Sequence, residues 1–160
     1  MVANLSTIQT EFARCGVPGT QRLRPYLGSQ PLAARDVWLV EYRDEVFARL
    51  AADLTEAGLQ VERALCAACT SRMYARFRPD LLVVNADLPD GSGWLLTAKL
   101  RMTFPKPHIL LYAPWPLPDA VAMAEFVGAD RLIAYEGDLY RLSAAIVSHV
   151  FVPMARCVAA

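Results

Sequence analysis

Two carboxylates, an amide and two glycines crowd the second half of the stretch RPDLLVVNADLPDGSG, Arg78 to Gly93. Its first half is the apolar run Leu81-Leu82-Val83-Val84. In an open α/β sheet, ligands bind outside the carboxyl ends of the strands, so an apolar strand running into an acidic loop marks a place for chemistry. Yet the residue at the strand tip is Asn85, a neutral amide, with Asp87 and Asp90 behind it. A second acid, Glu41, follows the apolar run Val37-Trp38-Leu39-Val40 and precedes Tyr42. Cys66 and Cys69 have CxxC spacing, which signals redox or zinc chemistry only beside a redox motif or two further ligands. Neither context is visible, and free cysteines in a helical stretch behave as small hydrophobes. His108 opens an apolar strand and His149 falls on the last predicted helix; neither carries a catalytic signature. The chain has no Ser/His/Asp order, no GxGxxG fingerprint and no P-loop. These residues predict no enzyme, no cofactor and no metal.

The elements that must position these residues alternate from Asp36 onward. Val37 to Val40 predicts a strand. Asp44 to Ala57 predicts a helix with Val46, Phe47, Leu50 and Leu54 on one face, stopped by Gly58. Leu59 to Ala64, Leu81 to Val84, His108 to Tyr112 and Arg131 to Ala134 predict four more strands. Cys66 to Phe77, Gly93 to Met102, Asp119 to Val127 and Asp138 to Val152 predict helices, the second with Leu95, Leu96 and Leu100 inward and the last ended by Pro153. Such alternation implies a doubly wound five-stranded parallel sheet with right-handed crossovers and helices on both faces.

Residues 1–35 differ. Leu5, Ile8 and Phe12 have the spacing of one helix face, and a Pro-, Gly-, Gln- and Arg-containing linker follows. This predicts an N-terminal helical extension, either covering an edge of the main domain or docking on another subunit. Residues 36–153 form the main domain and 154–160 a short tail.

Composition narrows the function classes. The 160 residues are 55% hydrophobic and 20% charged, with formal net charge zero. That describes a globular chain without the basic footprint of a nucleic-acid or anionic-membrane binder. No apolar run approaches the roughly 20 residues of a membrane helix, and the N-terminus lacks a secretory signature. A cytoplasmic protein is expected.

The order and spacing of three segments resemble the receiver domain of bacterial two-component response regulators, a flavodoxin-like fold. RPDLLVVNADLPDGSG is similar to the family's phosphoacceptor segment, with Pro89 and Gly93 at matching spacings. PHILLYAP is similar to the fourth strand, and AEFVGADRLIAY to the Gly-Ala-Asp segment before the fifth. The resemblance covers about Val37 to Val152.

The resemblance also implies a phosphorylation site that these residues do not reproduce. The aspartate that takes a phosphoryl group corresponds to Asn85. The two acids that hold magnesium correspond to Glu41 and Tyr42. The Thr or Ser after the fourth strand corresponds to Tyr112, the lysine after the fifth to Tyr135, and the aromatic switch residue to Leu132. An amide cannot form an acyl phosphate, magnesium usually needs one or two carboxylates, and no lysine is left to pair with phosphate oxygens. A degenerate receiver results, with no magnesium expected. Asn85 relieves the like-charge strain of a carboxylate cluster without its cation, while Tyr112 and Tyr135 partly fill the old pocket and direct their hydroxyls at Glu41 or Asn85. Asp87 and Asp90 are candidate substitutes, but the spacing to Pro89 favours Asn85, and Asp in such loops serves turns and helix caps.

The expected function is a phosphorylation-independent protein-interaction module in signal transduction, with a protein partner or a homodimer and no nucleic acid or membrane. The resemblance implies signalling through the last two helices and the fifth strand, here including Arg131, His149 and Phe151. Val150, Phe151, Val152 and Met154 cannot all face inward, which points to an exposed apolar patch. Residues 153–160 are too short for a DNA-binding module, so a stand-alone adaptor is expected. The alternative is a small-ligand sensor using the tyrosine-lined former pocket.

Overall fold

The computed structural model describes residues 35–115 and 118–151. The predicted helix of Leu5, Ile8 and Phe12, the stop at Pro153 and the 154–160 tail lie outside them. Five strands form one parallel sheet: β1 (Asp36–Val40), β2 (Gln60–Ala64), β3 (Leu81–Asn85), β4 (Ile109–Ala113) and β5 (Arg131–Ala134). Five helices alternate with them: α1 (Asp44–Glu56), α2 (Ala67–Phe77), α3 (Gly93–Thr103), α4 (Ala120–Val127) and α5 (Leu139–Phe151). The sheet order is β2-β1-β3-β4-β5, so β3 is central, which is why all five of its residues are buried. Asp87–Leu88 and Gly91–Ser92 pair as a two-residue antiparallel ribbon between β3 and α3.

Strand residues alternate between two cores, as the pleat requires. Trp38, Val40, Leu82, Val84, Ile109 and Leu111 face α2, α3 and α4 through Met73, Tyr74, Leu96, Leu100 and Val127. Val37, Leu39, Leu81, Val83, Leu110 and Ile133 face α1 and α5 through Leu50, Leu54, Leu142, Ile146 and Val150. The Ser143 hydroxyl also donates to Asp53 at 2.8 Å, joining α5 to α1. The doubly wound flavodoxin-like architecture expected from the sequence is the one observed. Gly58 ends α1 with φ at +87°, a conformation that a residue with a Cβ rarely adopts.

Two expectations fail. Leu95 does not point inward: it is 71% exposed. The buried stripe of α3 is Gly93, Leu96, Thr97 and Leu100. Thr97 can take an inward place because its hydroxyl donates to the Gly93 carbonyl one turn back, at 2.9 Å, and so remains paired. The cysteines are not both free. Cys66 is the free one among the described residues; it caps α2, its sulfur accepting from the Cys69 amide. Cys69 is disulfide-bonded.

Candidate functional site

The carboxyl ends of β1, β3 and β4 bring Glu41, Asn85 and Tyr112 together. Asn85 and Tyr112 are register partners on adjacent strands, and Glu41 continues β1 by one residue, its amide bonded to the Ala64 carbonyl. Glu41 is fully buried and Asn85 is 2% exposed. Tyr112 donates to Glu41 Oε2 at 2.5 Å. Asn85 Nδ2 donates to the same oxygen at 3.1 Å, while its Oδ1 accepts the Asp87 amide at 3.0 Å. These two partners fix the amide's orientation: a carboxylate requires a donor and an N–H requires an acceptor. An aspartate could accept from Asp87 but could not donate to Glu41. Tyr135 is also buried and packs edge-on against the Tyr112 ring, centroids 5.9 Å apart.

Arg43 completes this cluster, and no expectation named it. Its backbone amide and Nε donate to Glu41 Oε1 at 2.8 and 3.0 Å, and its Nη2 donates to Oε2 at 2.8 Å. Arg43 is the N-cap of α1 yet makes no side-chain cap bond; its guanidinium turns back to the acid instead. The backbone around it is held from β2. Arg63 donates to the Glu41 carbonyl at 2.9 Å, to the Tyr42 carbonyl at 2.8 Å and to the Asp44 carboxylate at 2.7 Å. Tyr42 stands outside the cluster, 43% exposed, because successive residues at a strand end point to opposite sides.

The Glu41 carboxylate therefore receives bonds from Arg43, Asn85 and Tyr112 that fill its roughly four lone-pair sites. Burial alone would raise its pKa. The bonds from Arg43 and Tyr112 and the Arg43 charge outweigh burial and hold the carboxyl below the usual range. Burial, then the charge of Glu41, pushes the Tyr112 phenol well up, so it stays a neutral donor. Arg43 is held charged mainly by its bonds to Glu41, with a further contribution from the Tyr135 hydroxyl.

This arrangement does not fit the magnesium that the resemblance implies. The one strand-end acid is saturated, Asn85 is neutral, and Tyr42 faces solvent. Among the described residues no group of three or more His, Cys, Asp or Glu could hold a metal. Asp90 is committed elsewhere: its two oxygens accept the Ala67 and Ala68 amides at 2.8 and 2.9 Å and so cap α2. Asp87 is exposed.

The expected interaction residues lie at the other end of α5 and along the β5 edge. Arg131 is exposed, Phe151 is 53% exposed, and His149 is half-buried. Burial lowers the His149 pKa, with Asp130, Arg131 and His108 near enough to act on it. Val150 is buried, its carbonyl accepting from Arg35; Val152 and Met154 lie outside the described residues. The fourth helix belongs to the same expected face, although none of its exposed residues was singled out. Helix α4, AVAMAEFV, buries Ala120, Ala124 and Val127 but leaves Val121 69% and Phe126 86% exposed, with Met123 between them and Trp115 just before the helix.

No family model matches the chain, and no curated protein matches it by sequence. Solved structures do. A chemotaxis response regulator, CheY4 of Vibrio cholerae, superposes with a TM-score of 0.64 at 18% identity, over 71% of this chain and 96% of that one. The signal receiver domain of an HD domain-containing protein from Pseudomonas fluorescens Pf-5 gives 0.64 at 21% identity, over 76% and 93%. The Mn(2+)-bound form of response regulator Rcp1 gives 0.65 at 14%, over 71% and 92%. The chain has the receiver-domain fold of response regulators.

Proposed function

We propose that this protein is a receiver-like signalling module that works by protein interaction without phosphorylation. The observation that carries this reading is the saturated Glu41 carboxylate, bonded by Arg43, Asn85 and Tyr112 at the strand ends. Phosphoryl transfer to a strand-end residue needs a carboxylate nucleophile and a cation to offset the incoming charge. Asn85 offers an amide, and Glu41 is already paired with an arginine of its own chain. One neighbour of the same fold was solved with Mn(2+) bound; the donor set here is not suited to that. The module is no enzyme and needs no cofactor.

Its partner is a protein or a second copy of the chain. Apart from Glu125, helix α4 is apolar, yet it is covered on one side only among the described residues, and an exposed apolar patch marks a partner surface. No described helix is long and apolar enough to cross a membrane. Nucleic acid is not a partner in this reading, given zero formal net charge. The alternative, a small-ligand sensor, needs polar groups free to meet a ligand; Glu41, Asn85 and Tyr112 direct theirs at one another. Incubation with acetyl phosphate and magnesium, followed by intact-mass measurement, tests the proposal. The mass should stay unchanged. Stoichiometric gain of a phosphoryl group at any residue overturns it.

A further inference from the structure

We infer that Arg43 is a built-in substitute for a divalent cation: its guanidinium blocks a metal site that the backbone of this chain still shapes, and removing it unmasks that site once a second carboxylate is supplied at position 85. This inference rests on the phosphorylation-independent reading and names the charged group that holds the place of the cation; Tyr112 also bonds Glu41 Oε2 and stays in place in the variants below.

Three observations carry it. First, the contact is made to both oxygens of a fully buried acid, Nε on Oε1 at 3.0 Å and Nη2 on Oε2 at 2.8 Å. Bidentate pairing of this kind neutralises the carboxylate and covers both of its oxygens. Second, helix formation does not explain an arginine here. An N-cap favours Ser, Thr, Asp or Asn, and a cation at the positive end of a helix is electrostatically unfavourable. Arg43 occupies that place without making a cap bond. Its gain must come from Glu41. Third, the loop is held by other residues. Arg63 pins the Glu41 and Tyr42 carbonyls and Asp44 from β2, so the loop can keep its path when the Arg43 side chain is removed. Glu41 and position 85 already approach within hydrogen-bond distance. Two carboxylates at that separation, with waters and backbone carbonyls, make up the usual protein share of a magnesium site.

Four proteins decide the matter by thermal unfolding with and without MgCl2 at constant ionic strength: wild type, Arg43→Ser, Asn85→Asp and the double variant. Serine is chosen because it restores a good N-cap. Only the double variant should respond. At about 10 mM magnesium and a dissociation constant of about 1 mM, its melting temperature should rise by roughly 3–6 °C. Asn85→Asp alone should stay silent because the guanidinium remains. An equal rise in Asn85→Asp alone overturns the blocking role. A silent double variant overturns the latent site while leaving the proposed function standing. A rise in the wild type overturns both. Should the double variant not fold, Arg43→Lys and Arg43→Met decide. The lysine keeps the cation and should hold the melting temperature well above that of the methionine variant; equal melting temperatures overturn the inference.

Discussion

Asn85 differs from aspartate by one group, and the neighbours of that group decide its consequence. The amide nitrogen lies 3.1 Å from a buried carboxylate oxygen. Asn85→Asp replaces that donor by a like charge, which raises the pKa of one member of the pair. Losing a hydrogen bond to a charged group costs roughly 1.5–3 kcal/mol. Urea unfolding at pH 7 should show a loss of that size, shrinking toward pH 5 as one carboxyl takes up a proton. A variant as stable as wild type at pH 7 would count against this account. Glu41 makes its own pH prediction. Its folded pKa lies below the ordinary value, so its stabilisation is complete above about pH 4.5 and fades as the pH falls through the folded pKa. Glu41→Gln should flatten that acid limb while lowering stability at pH 7, where Arg43 would be left without its partner. Breaking a buried pair in this way costs about 3–5 kcal/mol, and the half-exposed Arg43 places the loss toward the lower end.

At the scale of elements, the loop after β3 is pressed from two sides. Helix α3 begins against the strand end, and a Cβ at Gly93 would lie 2.1 Å from the Asn85 carbonyl oxygen. Gly93→Ala should therefore cost about 3 kcal/mol, as an overpacked backbone contact does, measured by equilibrium unfolding; a neutral effect would mean that α3 can slide. Asp90 reaches the other way to cap α2. The sequence made most of this scale legible. The short apolar runs Val37 to Val40 and Leu81 to Val84 read as buried strands because of their length and their place between helical stretches, and Gly58 marked a helix end. Leu95 was misplaced because residue type favoured a leucine over a threonine; the buried stripe runs through positions 93, 96, 97 and 100 at helix spacing, and Thr97 can join it because its hydroxyl stays paired. The cluster was half legible. Glu41, Asn85 and Tyr112 were found through the resemblance, and the sheet register then places Asn85 beside Tyr112. Arg43 was not found, because its role depends on a loop path set by Arg63, twenty residues away and on another strand. An arginine two residues after a strand-end acid, in EYRD, was the available signal.

At the scale of the whole molecule, the expected output face has two parts: the Arg131, His149 and Phe151 region and the apolar side of α4. The exposed apolar area on α4 is the stronger mark of a partner surface. Phe126→Glu should leave the melting temperature within about 2 °C, since an exposed side chain contributes little to folding, and should abolish self-association or partner capture measured by sedimentation. Unchanged association would move the output face to Arg131, His149 and Phe151. The structures of CheY4, Rcp1 and the receiver domain from Pseudomonas fluorescens superpose on 71–76% of this chain at 14–21% identity. Their fold is the one observed here, and at its strand ends the buried Glu41 carboxylate is paired with Arg43 of the same chain. The most direct test is thermal unfolding of the wild-type protein with and without magnesium plus beryllofluoride, a mimic of the acyl phosphate. A site closed by Arg43, Glu41, Asn85 and Tyr112 predicts no shift. A saturable upward shift would contradict it, because only a folded site able to hold cation and phosphoryl mimic together is stabilised in this way.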